Sequence, residues 1–417
     1  MLVSVRPPSV DSLARSISDI DLPPPLLVDA ARTAISNGKP GSAREEAVKL
    51  RRTLLGPAIN ATGVLLHTNL GRAPFAYSQP AKATNLEFDL DTGARGSRNH
   101  HVANLICRLT GAEAAVVVNN CSAAVTLVLA ALARDRAVAV SRGELVEIGG
   151  GFRVPDVMAE SGARLVEVGT TNRTRLDDYR AAHQVHEAAL LLKVHPSNYR
   201  ISGFTEETPV KSLATLGVPV VVDLGSGLID EACFWLREGR PPWLGEEPAV
   251  KQTLEAGADL VTFSCDKLFG GPQSGVIAGR SDLVEACVNH PLMRAVRPGA
   301  LVLNALQQTA LAYLRRDGDA VPFWRMAQTP VSELLSRAEA LSVGRTVHTM
   351  AITGGGSLPG EQIPSAGVEI GGDISRLLRD ADTPVIARVR DNATIIDLRT
   401  VDPSDDSLVA DAIASSI

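Results

Sequence analysis

Ala258-Asp259-Leu260-Val261-Thr262-Phe263-Ser264-Cys265-Asp266-Lys267-Leu268-Phe269-Gly270-Gly271 sets one lysine just past an apolar strand and just before a glycine turn. A lysine in that place suits a covalent cofactor anchor. Val218-Pro219-Val220-Val221-Val222-Asp223, whose acid stands 44 residues before the lysine, is a second apolar strand that ends in a carboxylate. A buried acid stays ionised only with a fixed positive partner. The protonated ring nitrogen of pyridoxal phosphate is such a partner, and the aldehyde of the same cofactor is what a strand-end lysine would hold. Taken singly each feature has an ordinary explanation, because a strand-terminal Asp often caps the next helix and most lysines are solvated. Together they point to one cofactor.

From Pro57 to about Arg280, apolar strand-like runs alternate with helix-like segments, the pattern of a doubly wound sheet. Ala114–Val118, Ala137–Val140, Arg164–Val168, Ala189–Val194 and Gly275–Ala278 read as further strands. After the first of these, Asn119-Asn120-Cys121-Ser122 opens an apolar helix over Ala123–Ala133. Such a strand, polar turn and helix start offers free backbone N–H groups to a phosphate, and it equally suits a simple N-cap. His195, Asp223 and Lys267 all fall at carboxyl ends of strands, the edge where open α/β sheets bind ligands. His195 there either contacts the cofactor or caps a turn. Ser226 and Ser264 are further cofactor candidates, as are Asn120, Cys121 and Ser122, while Asp266 joins Lys267 as a catalytic candidate.

Three regions are expected: a helical segment over 1–56, a large domain over 57–300 and a smaller α+β domain over 301–417. In the last, Thr383–Arg390 and Ala393–Arg399 flank Asp391-Asn392 as a hairpin, and alternation turns Val385, Ala387 and Val389 inward. In the first, Pro7-Pro8 and Pro23-Pro24-Pro25 bracket amphipathic stretches at Ser9–Ile17 and Leu26–Ile35, and Ala43–Leu55 is a charged helix. Residues 1–55 carry eight basic side chains, Arg6 among them, against six acidic ones, a balance of +2 that fits a solvated face or a slight RNA contact.

The 417 residues exceed what one core usually holds. With 45% hydrophobic and 21% charged residues the chain has the composition of a folded α/β protein, not a disordered one. The net charge of −6 argues against general coating of nucleic acid and leaves room for a local basic patch. No apolar run reaches the ~18 residues of a spanning helix, and Met1–Pro8 lacks a signal peptide's apolar core, so a cytoplasmic protein is expected. Five cysteines form no CxxC pair, which predicts reduced thiols and no zinc site; His100-His101 lacks metal-ligand spacing. Cys265 is either a reactive thiol or a small packed side chain. The triplets Gly149-Gly150-Gly151 and Gly354-Gly355-Gly356 permit tight turns.

Longer strings carry a specific resemblance. Ile59-Asn60-Ala61-Thr62-Gly63-Val64-Leu65-Leu66-His67-Thr68-Asn69-Leu70-Gly71-Arg72-Ala73-Pro74, Arg95-Gly96-Ser97-Arg98, Ser141-Arg142-Gly143-Glu144-Leu145-Val146-Glu147-Ile148-Gly149-Gly150 and Val168-Gly169-Thr170-Thr171-Asn172-Arg173-Thr174 are among them. Lys193-Val194-His195-Pro196-Ser197-Asn198-Tyr199-Arg200, Asp223-Leu224-Gly225-Ser226-Gly227, the lysine segment and Gly354-Gly355-Gly356-Ser357-Leu358-Pro359-Gly360-Glu361 complete the set. Nearly end to end, the chain resembles the bacterial selenocysteine synthases, the L-seryl-tRNA(Sec) selenium transferases. It departs at Cys265, where the family usually has glycine, at Asn120-Cys121-Ser122, which replaces an Asn/Ala-rich turn, and in an amino-terminal segment shorter than the family's tRNA-recognition domain.

The resemblance implies a fold-type-I pyridoxal-phosphate transferase, aminotransferase-like, with a large cofactor domain and a small carboxy-terminal one. It implies that serine esterified to tRNA(Sec) displaces Lys267, that the freed amine removes the Cα proton, and that loss of the β-hydroxyl is followed by addition of selenium from selenophosphate. It assigns the compact donor anion to Arg72, Arg294 and Arg297, with Arg95 and Arg98 as further candidates for the same anion or the cofactor phosphate. In Leu292-Met293-Arg294-Ala295-Val296-Arg297 an i, i+3 spacing would set two guanidinium forks on one helical face. A homo-oligomer built of dimers is implied as well. Related family members are lyases of small amino-sugar phosphates that use the same lysine and aspartate without tRNA, which leaves a second enzyme reading open.

Overall fold

The computed structural model describes residues 8–148 and 151–417. Arg6 and Pro7 of the amino-terminal stretch and Gly149-Gly150 of the first glycine triplet lie outside these residues. Chain contacts divide the protein into two units, Met1–Ile59 with Asp382–Pro384, and Asn60–Ala381 with Val385–Ile417.

The first unit holds helices at Val10–Ser16, Pro24–Ser36 and Ala43–Thr53. Ser9 caps the first, its hydroxyl accepting from the Ser12 N–H at 3.2 Å. Proline opens the second, where a missing N–H costs nothing. Ala30, Ala31, Ala34, Ala43 and Ala47 are buried at the helix contacts, and Ile17, Ile20, Leu22 and Leu27 fill the remaining core. The charged faces pair among themselves, through Arg15–Asp11, Arg44–Asp19, Lys49–Glu46 and Arg51–Asp382.

In the second unit a seven-stranded sheet is built from β1 (Ala114–Val118), β2 (Ala137–Ser141), β3 (Arg164–Val168), β4 (Leu190–Val194), β5 (Val220–Gly225), β6 (Leu260–Ser264) and β7 (Gly275–Gly279). Their order is β1-β7-β6-β5-β4-β2-β3. Pairing is parallel from β6 through β3, and β7 runs antiparallel to both of its neighbours. Apolar side chains alternate between two cores. Val220, Val222, Val261 and Phe263 pack into one, while Val221, Leu260, Ile277 and the helix Cys121–Leu132 pack into the other. A sheet covered on both faces needs such continuous apolar strands, which is why they were legible in sequence. No helix among the described residues is long and apolar enough to cross a membrane.

Four strands of the smaller sheet, β8 (Arg345–Ala351), β9 (Ile363–Gly371), β10 (Val385–Arg390) and β11 (Ala393–Asp397), lie in the order β10-β11-β9-β8. The expected hairpin forms, with Asp391 and Asn392 both at positive φ, 50° and 57°, as a tight two-residue turn requires. One expectation fails: Val385 is buried, Ala387 is partly buried, and Val389 is 43% exposed. Val389 stands opposite Thr394 next to the turn, so the hairpin tip runs past its core.

The antiparallel β7 places Gly275 against the helix start that follows β1. A Cβ on Gly275 would meet the Asn120 carbonyl oxygen at 2.2 Å and the Cys121 nitrogen at 2.7 Å, both backbone. Gly275→Ala should therefore destabilise the protein by about 1–3 kcal/mol. Gly371→Ala, with open space around it, should change stability by no more than about 0.5 kcal/mol. Calorimetric melting of the two variants checks the pair.

Candidate active site

Asp223 is held at the carboxyl end of β5, 6% exposed. Register sets it opposite Thr262 of β6, and a bulge follows at once, since Gly225 and not Leu224 pairs with Phe263. The bulge turns the chain at the site edge, with Gly225 at φ 66°. Thr262 Oγ1 donates to Asp223 Oδ1 at 2.8 Å and the Cys121 thiol donates to the same oxygen at 3.2 Å. Burial raises the Asp223 carboxyl above the ordinary range, opposed by these two donors and by Lys267. No cation among the described residues is bonded to the carboxylate, so a cationic ring nitrogen would relieve its main electrostatic cost.

Lys267 lies just beyond β6 and is 4% exposed. Its Nζ donates to the Gly356 carbonyl at 3.3 Å. Burial pulls the amine below the ordinary lysine value, which favours the neutral, nucleophilic form. A Cβ on Gly225 or Gly356 would come within 3.8 and 3.7 Å of Nζ, so glycine at both positions keeps space around the amine. The buried hydroxyls of Ser197, Ser226 and Ser357 have no hydrogen-bond partner among the described residues. A buried carboxylate bonded only by neutral groups of those residues, a lysine amine whose proton affinity is lowered and these hydroxyls fit pyridoxal phosphate.

The neighbouring Asp266 carboxylate is engaged by Arg72, whose Nη1 donates to Oδ2 at 2.7 Å. Arg72 sits at φ 61°, an uncommon backbone for a side-chain-bearing residue, and its N–H is tied to the His67 carbonyl at 3.0 Å. His195 follows β4; its N–H donates to the Asp223 carbonyl at 2.9 Å and its Nε2 meets Glu247 Oε2 at 3.3 Å. Ser264 ends β6 in the buried interior. Asn120 caps its helix, its side chain accepting from the Ala123 N–H at 2.8 Å, and Ser122 stands in the first turn. The Cys121 side chain is directed to Asp223, which leaves its backbone for a phosphate.

The arginines separate into two groups. Arg95, Arg98 and Arg297 converge on Glu87, at 3.0, 2.8 and 3.7 Å, and Arg98 also donates to the Pro298 carbonyl. Arg294 is exposed on the short helix Leu292–Val296. The expected shared helical face does not form, because Arg297 lies past the helix end at ψ 135°. Pro298 follows it, and a residue before proline is driven out of the helical region.

Two cavities adjoin the site. One of about 210 Å³ is lined by Ser197, Asn198, Gly356 and Ser357. The larger, about 620 Å³, runs beside His195 and Tyr199, and neither Lys267 nor Asp223 is on its wall. Glu144, Glu206, Glu207 and Glu361 line it, while its arginines, Arg173 and Arg200, are paired with Glu206 and Glu361. Its balance is acidic and disfavours a phosphate-like anion.

Several site residues were missed from sequence. Thr262 gave a signal, a hydroxyl in the middle of an otherwise apolar strand that ends at Ser264. Glu87 gave none, since a surface glutamate in an irregular stretch looks like any other. Gly356 was read as turn chemistry; the triplet Gly354–Gly356 is indeed left-handed throughout, at φ 71°, 64° and 77°, and it also delivers a carbonyl to Lys267. Cys265 is fully buried, and burial pushes its thiol up to about 12, so it is a packed side chain.

Comparison with known proteins agrees with this geometry. The family described as SelA, L-seryl-tRNA selenium transferase, matches residues 58–402. The L-seryl-tRNA(Sec) selenium transferase of Moorella thermoacetica is 46% identical, over 88% of this chain and 83% of that one. That of Hyphomonas neptunium is also 46% identical, over 84% and 80%, and that of Nitratidesulfovibrio vulgaris is 40% identical over 98% of both chains. Among solved structures, D-glucosaminate-6-phosphate ammonia-lyase superposes with a TM-score of 0.60 at 20% identity, over 88% of this chain and 97% of that one, which shows a common fold. With its lysine and aspartate in one buried site and this match along most of its length, the chain belongs to the L-seryl-tRNA selenium transferase family.

Proposed function

We propose that the protein converts L-seryl-tRNA(Sec) to L-selenocysteinyl-tRNA(Sec), using pyridoxal phosphate to eliminate the seryl hydroxyl and selenophosphate to supply selenium. The observation that carries the proposal is the buried pair of Asp223 and Lys267 in a chain of this family. Bound there, the cofactor supplies an aldehyde for amine exchange and a protonated ring that accepts the electrons of a broken Cα–H bond. Asp223 would hold the proton on the ring nitrogen. At an effective dielectric near 20, two unit charges about 4 Å apart are worth roughly 4 kcal/mol, enough to keep that proton at neutral pH. Lys267 Nζ, once free, takes the Cα proton and carries it toward the departing hydroxyl, which leaves poorly without one. His195, Ser226 and Ser264 would hold the cofactor, and the first turn of the helix at Asn120, Cys121 and Ser122 would receive its phosphate on backbone N–H groups. Asp266 sets Arg72.

Selenophosphate needs fixed cations, and we assign them to Arg72, Arg294 and Arg297, with Arg95 and Arg98 alongside. Three guanidinium groups sharing the one carboxylate of Glu87 support this, since the cluster keeps net positive charge. Residues 57–300 serve as the cofactor domain and 301–417 as the small domain, and the helical segment 1–56 contacts the tRNA. Its exposed ion pairs contribute little each, so phosphates can replace their acids at small cost. The protein acts in the cytoplasm as a homo-oligomer, for which the exposed Phe88 and Leu90 are suitable surface.

Borohydride reduction of the reconstituted protein should fix the cofactor on Lys267 alone, as peptide mapping reads directly, and Asp223→Asn should retain cofactor yet nearly abolish turnover. Label on another lysine, or wild-type elimination in the variant, contradicts the assignment. Arg297→Ala should lose about ten- to a hundredfold in selenophosphate affinity, roughly 1.5–3 kcal/mol, while still consuming seryl-tRNA. Single-turnover product analysis against donor concentration measures this, and loss of the elimination step would instead make Arg297 a substrate or cofactor ligand. Deleting residues 1–55 should weaken seryl-tRNA binding far more than cofactor binding, and full-length affinity should fall with salt. Equal tRNA affinity with and without the segment refutes the contact.

A further inference from the structure

The carboxylate of Asp223 is bonded asymmetrically. Both of its side-chain donors, Thr262 Oγ1 at 2.8 Å and Cys121 Sγ at 3.2 Å, go to Oδ1, and Oδ2 accepts no hydrogen bond from the described residues. Carboxylate rotation about the terminal bond is otherwise soft, so two donors from different elements fix which oxygen faces which way. Thr262 comes from the paired strand β6. Cys121 comes from a separate element, as the first residue of the helix Cys121–Leu132. Its backbone is closely set: the Asn119 N–H donates to the Val296 carbonyl at 2.8 Å, and the Asn120 carbonyl is pressed against Gly275.

We infer that Cys121 is a positioning residue for the cofactor, its thiol acting with Thr262 to hold Asp223 Oδ1 so that Oδ2 is the oxygen presented to the ring nitrogen. The inference rests on the cofactor reading above. The groups that face Asp223 are Thr262, Cys121, Lys267 and His195, and those that face the thiol are Asp223, Lys267 and Thr262. Burial first, and Asp223 second, keep the thiol far above its ordinary range, so it remains a protonated donor at neutral pH and is not a nucleophile. A neutral donor favours the ionised carboxylate without cancelling the charge that the ring nitrogen requires.

The test compares Cys121→Ala and Cys121→Ser, alone and with Asp223→Ala, in full-length protein whose folding is checked by circular dichroism. Pyridoxal phosphate affinity of the apo protein is one readout; the infrared S–H stretch of Cys121, isolated by difference against Cys121→Ala, is a second that needs no cofactor. Cys121→Ala should bind the cofactor roughly two- to tenfold more weakly. Cys121→Ser, which keeps a donor, should stay within about twofold of wild type, and Cys121→Ala should add no further loss once Asp223 is alanine. Asp223→Ala should move the S–H band to the higher wavenumber of a free thiol. Equal losses in the alanine and serine variants, an undiminished loss without Asp223, or an unmoved S–H band overturns the inference. If the wild-type protein takes up no pyridoxal phosphate, the cofactor reading itself fails, and the infrared comparison still decides whether the thiol bonds the carboxylate.

Discussion

The site depends on one electrostatic constraint: a carboxylate buried at the end of a parallel strand and held by neutral donors. Asp223 is desolvated, and among the described residues only a hydroxyl and a thiol are bonded to its side chain. Such a group is costly unless something positive completes it. The same burial acts with opposite sign on Lys267, lowering the affinity of its amine for a proton. Burial thus disfavours the charged form of both groups, while the two donors on Asp223 favour its carboxylate and the lowered lysine favours the form that attacks an aldehyde.

Backbone geometry shapes the surroundings of these groups. The bulge after Asp223 and the left-handed Gly225 turn the chain close to the lysine amine, and Gly356 brings a carbonyl to it from a loop between two strands of the smaller sheet. A Cβ at Gly225 or Gly356 would stand in van der Waals contact with Nζ, and both positions have the positive φ that favours glycine.

Charge is distributed just as unevenly around the site. Arginines gather at Asp266 and Glu87, whereas the larger cavity beside His195 is walled by glutamates. A small anion would be drawn to the arginine side of the site and not to the glutamate wall.

Sequence alone determined the strands, their both-faces-buried character and the pairing of an acid and a lysine at the ligand-binding edge, because apolar runs and strand-end polar residues are local signals. It also determined the hairpin, through Asp391-Asn392, though not where its core stops at Val389. Only the tertiary structure decided contacts that join distant segments: Cys121 and Thr262 on one oxygen of Asp223, Gly356 on Lys267, Arg72 on Asp266, and three arginines on Glu87. The i, i+3 spacing of Arg294 and Arg297 pointed to a common face, and the following Pro298 broke it. Spacing along a chain fixes direction only while the element lasts; where it ends, the side chain's partner is set by what the fold brings alongside.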